Sequence, residues 1–164
     1  MGDLVYMFAS LAARHNNGTT CDKGMQLLAE VLHPHGVKIT WMVSPGSARL
    51  AAQQLTSWHE QYGDDVAMET PVLNGSVGDK KAKIAAARHA IMEALPWADI
   101  KIASAGHQDP EIGALLEDLG FWGIWGFCWE QIEIDEITDR GCPWGFYYMD
   151  REQRLRPAQG KGVI

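Results

Sequence analysis

Apolar positions along the chain change period several times, and each change marks an element. Residues 4–11, Leu-Val-Tyr-Met-Phe-Ala-Ser-Leu, form a short continuous apolar run that reads as a strand. From residue 22 the period becomes helical, with Met25, Leu27, Leu28, Val31 and Leu32 at three- and four-residue steps. A β-rich run follows at 38–43. Ser47 is the expected N-cap of a helix that reaches Tyr62 and stops before Gly63. A third strand is expected at 65–69. An Ala-rich helix spans 78–95 and ends at Pro96, and a fourth strand covers 99–104. Asp109, Pro110 and Glu111 supply an N-cap, a Pro at the first helical position and a first-turn acid for a helix that closes at Gly120. A fifth strand is expected at 122–129, a short helix at 130–138 and a sixth strand at 145–148. The tail 151–164 is polar and expected to be extended.

Strands alternating with helices in this way predict an α/β fold with parallel strands and helical crossovers. Two closures are open, a doubly wound sheet or a (β/α) barrel. No Gly-x-Gly-x-x-Gly and no P-loop occurs, which disfavours the nucleotide-binding versions. Residues 1–150 read as one domain. A full barrel takes about 200 residues or more, so a barrel here would be incomplete. Its open edge would call for an additional domain or a second copy of the chain, a homo-oligomer.

Composition narrows the partners. The net charge is −7 and no basic run stands out, so nucleic acid is not expected. No apolar run is long enough to span a bilayer, and no membrane partner is expected. No signal peptide is visible, so the expected location is cytoplasmic. The three cysteines, Cys21, Cys128 and Cys142, are odd in number and widely spaced, which fits reduced thiols better than a disulfide framework.

Parallel α/β folds place their chemistry at the C-terminal ends of strands. That rule collects His15, Asn16, Asn17 and Asp22 after the first strand, Ser44 after the second and Glu69 after the third. It adds His107 and Asp109 after the fourth, and Trp129, Glu130 and Asp135 after the fifth. The last group lies in the most informative stretch of the chain, which runs from Trp122 to Asp135. Three of the seven tryptophans and three carboxylates fall within it. Trp129 and Glu130 leave the apolar run together. A flat aromatic face beside a carboxylate suits a sugar ring, whose C–H face stacks on the indole while a hydroxyl or a proton goes to the acid. The expected ligand is a saccharide.

Several segments carry a resemblance. Residues 18–43, ending His35-Gly-Val-Lys-Ile-Thr-Trp-Met-Val, resemble the first helix and second strand of the polysaccharide deacetylase (NodB-like) fold. Gly63-Asp-Asp-Val-Ala-Met-Glu resembles that family's Gly-His-Glu-Ile-Gly-Asn-His segment. Pro110-Glu-Ile through Leu119-Gly-Phe resembles its Pro-Glu-Val … Leu-Gly-Tyr helix. The resemblance implies an incomplete (β/α) barrel of deacetylase type and a divalent metal cofactor. It also shows departures. Asn16 and Asn17 stand where the family has paired aspartates. Glu69 stands at the first metal histidine, and Leu73 at the second. Neutral Asn is a poor ligand and Leu is none, so the metal site is degenerate. His107, Asp109 and Glu69 are the residues left that could hold a metal. Trp129-Glu-Gln-Ile-Glu-Ile-Asp, Phe146-Tyr-Tyr and Arg156-Pro-Ala-Gln-Gly-Lys are similar to segments of uncharacterised bacterial domains at the front of larger carbohydrate-active proteins.

The resulting expectation is a hydrolase acting on a glycosidic or N-acyl bond, with a saccharide-binding or partner-docking relative lacking catalysis as the alternative. Glu130, Asp22 and Asp135 are the catalytic candidates. Trp129, Trp144, Asn17, His15 and Gln131 are the substrate-binding ones. Each has a plainer reading. Asp22 and Glu130 suit the first turn of a helix, and an isolated pair such as His15 and His107 is more often solvated than metal-bound. Asp64 and Asp65 read as a solvated strand entry. His33, His35, His59 and His89 read as surface residues. Lys80 and Lys81 read as an exposed helix start, and Trp125 as core.

Overall fold

The computed structural model describes residues 9–11, 21–104 and 111–125, together with 148, 150, 158 and 160. These residues form α/β structure with parallel strands, and the chain divides into two compact units. The first comprises 1–69 and Ala87–Ile100, the second Thr70–Ala86 and 101–164.

In the first unit, β1 (Ala9–Leu11), β2 (Thr40–Val43) and β3 (Asp65–Met68) lie parallel in that order. Ala9 pairs with Thr40, and Thr40 pairs with Asp65. Among the described residues no strand lies against the far edge of β1, so the array is open and no barrel closes. Helix α1 (Cys21–Leu32) makes the first crossover, then a 3-10 turn over His33–His35. Helices α2 (Pro45–Leu50) and α3 (Ala52–Tyr62) make the second.

The expected single helix from Ser47 to Tyr62 is therefore corrected in two ways. The N-cap is Ser44, and the helix breaks at Ala51. Pro45 is the cause of the first. A residue before proline is pushed out of the α region, and Ser44 has φ −87° and ψ 166°. From there its Oγ accepts from the Ser47 N–H, while Ser47 Oγ accepts from the Ser44 N–H, a reciprocal capping box. Gly63 closes α3 at φ 75°, a conformation that costs glycine little.

The core of this unit holds Ile39, Trp41, Val43, Leu55 and Met68, all 1 % exposed or less. Each such side chain contributes about 1.5–3 kcal/mol by leaving water. Helix α4 (Val77–Ala94) runs on from the second unit into the first. Ile84, Ala87 and Ile91 form its buried stripe, at steps of three and four. Leu95, Ala98 and Ile100 extend the buried set beyond its end.

In the second unit β4 (Ile102–Ser104) and β5 (Gly123–Trp125) are parallel, joined through α5 (Ile112–Asp118). Ile112, Leu115 and Leu116 bury one face of α5. Its N-cap is Glu111, without a side-chain cap bond, rather than the expected Asp109. Lys80 and Lys81 are not freely exposed. Their ammonium groups bond Glu111 and Asp118, each at 2.8 Å, and tie the start of α4 to α5. Trp125, expected in the core, is half-buried. The expected elements at 130–138 and within 126–147 lie outside the described residues. Tyr148 is not in a strand, and its carbonyl accepts from the Ala158 N–H at 2.6 Å.

Candidate functional site

The parallel strands give the first unit two chemically different ends. At the C-terminal end stand Ser44 after β2 and Glu69 after β3. The Glu69 N–H donates to the carbonyl of Val43 at 2.8 Å, which continues the β2–β3 ladder by one step and fixes where the glutamate leaves the sheet. Glu69 is half-buried. Ser44 is committed to the α2 cap. Asp22 is the second residue of α1, the first-turn position that its plainer reading requires. His15, Asn17, His107, Asp109, Trp129, Glu130, Gln131, Asp135 and Trp144 lie outside the described residues. Of the sequence-derived set, Glu69 is the carboxylate whose surroundings are described. Among the described residues no three His, Cys, Asp or Glu side chains form a group that could hold a metal ion.

The second unit contributes a polar pair that sequence reasoning missed. Thr70 N–H donates to Ser104 Oγ at 2.9 Å, and the Thr70 hydroxyl donates to the Ser104 carbonyl. This double link ties the loop that begins at Thr70 to the end of β4. Neither residue has a sequence signal beyond its place at the end of an apolar run.

At the N-terminal end of the first unit the structure corrects the sequence reading more sharply. Asp64 is not a solvated strand entry but is 1 % exposed, and His33 is 7 % exposed. Four bonds converge on the Asp64 carboxylate. Ile39 N–H donates to Oδ1 at 3.0 Å, Trp41 Nε1–H to Oδ2 at 2.8 Å, and His33 Nε2–H to the two oxygens at 3.1 and 3.0 Å. A buried carboxylate is stable only when its lone pairs are occupied in this way.

Aromatic rings enclose the pair. His33 stacks on Tyr62 at 3.9 Å and meets the edge of Trp58 at 5.8 Å, while Trp58 stacks on Trp41 at 5.0 Å. His59, also read as a surface residue, donates from Nδ1 to the Asp64 carbonyl at 2.7 Å and stacks on Trp97 at 4.0 Å. Trp97 Nε1–H in turn donates to Thr56 Oγ1 at 2.9 Å.

A His–Asp pair can serve as a base and its orienting acid when a nucleophile reaches the other ring nitrogen. Here no Ser, Thr or Cys among the described residues hydrogen-bonds His33, and both oxygens of Asp64 are taken by fixed donors. The cluster is a polar clasp that holds the 3-10 turn, β2 and the entry to β3 in register. The readable signal was the pair of donors, a histidine beside a proline turn and a tryptophan inside a strand, each needing an acceptor once buried.

One carboxylate is electrostatically distinct. The Ser76 hydroxyl and then the Ser76 N–H, both donating to Asp79 Oδ2, hold the Asp79 carboxyl below the usual range. The Lys83 charge adds to this against a small opposing effect of burial. Ser76 precedes α4 and Asp79 is its third residue, and with Asp79 N–H donating back to Ser76 Oγ at 3.2 Å the two close the helix N-terminus reciprocally.

No helix among the described residues is long and apolar enough to cross a membrane. Compared with known proteins, the chain matches no family model, no curated protein and no solved structure.

Proposed function

We propose that this chain is a carbohydrate-active hydrolase acting on a glycosidic or N-acyl bond, built on an incomplete (β/α) barrel of the deacetylase type. Glu130 transfers the proton. Asp22 or Asp135 supplies a second acid, and Trp129 and Trp144 hold the sugar ring with His15, Asn17 and Gln131 at its hydroxyls. The observation that carries this reading is the position of Glu69. It leaves the sheet directly after β3, at the end where parallel α/β folds gather their catalytic groups, with its N–H anchored on Val43.

Glu69 would also be one ligand of a divalent metal, with His107 and Asp109. Two carboxylates and an imidazole are a donor set that zinc accepts. Such an ion would polarise the carbonyl of an N-acyl group. A second reading, a saccharide-binding relative without catalysis, is favoured by Asn16 and Asn17 in place of paired aspartates.

The test uses the full chain and its Glu130→Gln variant. Both are assayed for divalent metal content, for turnover of chromogenic glycosides and N-acetylated oligosaccharides, and for binding on a glycan array. Turnover that is lost in the variant while sugar binding persists supports the hydrolase. Binding without turnover in both supports the second reading. No sugar binding and no turnover in either protein defeats both.

A further inference from the structure

We propose that Asn74 is a site of spontaneous deamidation, promoted by the ammonium group of Lys83. Three observations within the second unit lead there. Asn74 is followed by Gly75, and both are exposed. Glycine presents no side chain to shield its backbone nitrogen, so that nitrogen can reach the Asn74 side-chain carbonyl. Substitution of this glycine is opposed by shape. Its φ is +95°, and an added Cβ would meet Asp79 Oδ2 at 2.8 Å, a carboxylate already held by Ser76. Among the described residues no hydrogen bond engages the Gly75 N–H.

The third observation is the placement of Lys83, the seventh residue of α4. Its Nζ donates to Asn74 Oδ1 and lies 3.5 Å from the Asn74 backbone oxygen. These two carbonyls become the carbonyls of the cyclic imide. A cation beside them stabilises negative charge on oxygen both when the ring forms and when it opens, as a fixed donor does at any tetrahedral intermediate.

The chemistry balances without a redox partner. The Gly75 nitrogen gives its proton to water and forms a bond to Asn74 Cγ. The Cγ–Nδ2 bond breaks and the amide leaves as ammonia. Water then adds to one imide carbonyl. Opening at the Cγ–N bond leaves aspartate, and opening at the backbone carbonyl leaves isoaspartate, which routes the main chain through the side-chain carbon. One water is consumed and one ammonia released. The new carboxylate lies beside Lys83, whose charge also acts on Asp79.

This inference is independent of the proposed hydrolase activity. The test incubates the full-length folded chain at mildly alkaline pH and follows it by peptide mass mapping and anion-exchange chromatography. Mapping is needed because Asn17-Gly18 is a second Asn-Gly pair. The expected result is a time-dependent mass gain matching replacement of NH2 by OH in the peptide containing Asn74, with aspartate and isoaspartate forms resolved. In Lys83→Met, with an unchanged melting curve, the conversion slows several-fold. An Asn74 peptide that stays intact in the folded chain, while the same peptide released by proteolysis converts, overturns the site. Equal rates in the parent and in Lys83→Met overturn the role of Lys83.

Discussion

His33 and Asp64, thirty-one residues apart, meet through Nε2 at 3.0 and 3.1 Å from the two carboxylate oxygens, in a space that is 1 % exposed at the acid. The contact joins the turn after α1 to the residue just before β3. With Ile39 N–H and Trp41 Nε1–H on the same carboxylate, it also sets the height of β2 between them.

The first prediction concerns this acid. Asp64→Ala leaves three buried donor groups without an acceptor and is expected to lower the unfolding free energy by about 3–5 kcal/mol. Asp64→Asn keeps one acceptor oxygen but turns an NH2 toward a donor, with a smaller expected loss of about 1–3 kcal/mol. Urea unfolding followed by tryptophan fluorescence reads both, since Trp41 and Trp58 stack beside the site. A midpoint for Asp64→Ala equal to that of the parent would show that the clasp does not stabilise the fold.

Ser44 and Ser47 cap α2 reciprocally, so each needs the other. Ser44→Ala is expected to cost about 1 kcal/mol, the usual worth of a serine N-cap. Were Ser47 the cap of one long helix, as its sequence context suggests, Ser44→Ala would leave the melting temperature unchanged. Thermal unfolding of the two single alanine variants distinguishes these.

Asp79 provides a pH signature. Its folded-state carboxyl titrates below the ordinary value because the Ser76 hydroxyl and N–H bond the charged form. A carboxyl depressed in this direction contributes stability that is complete above its unfolded value and is lost as pH falls through its lower folded value. The expected observation is a carbon chemical-shift titration of Asp79 with its midpoint below the ordinary aspartate value. In Ser76→Ala that midpoint moves up. A midpoint unmoved by the substitution would contradict the assignment.

Much of the architecture is legible from apolar spacing. Of the apolar positions expected on α1 Met25 is buried while Leu27 and Val31 are exposed, but Trp41 to Val43 on β2 and Ile84, Ala87 and Ile91 on α4 are all buried. Those residues are buried because removing apolar surface from water depends on local geometry that a short window of sequence already contains. Gly63 and Gly120 end their elements for an equally local reason, a positive φ that other residues resist. Glu69 at the end of β3 followed from the same patterning.

The sequence on its own thus determined the α/β class and the parallel crossovers. Only the tertiary structure decided the fate of its polar residues. Asp64 reads as one of two acids at a strand entry, and its neighbour Asp65 is indeed exposed. What buries Asp64 is the arrival of His33, Ile39 and Trp41 from other elements, and their donors are what make burial affordable. In the same way Ser104 meets Thr70 from thirty-four residues away. A polar group's environment depends on which distant partners the packing brings to it, and no local period encodes that.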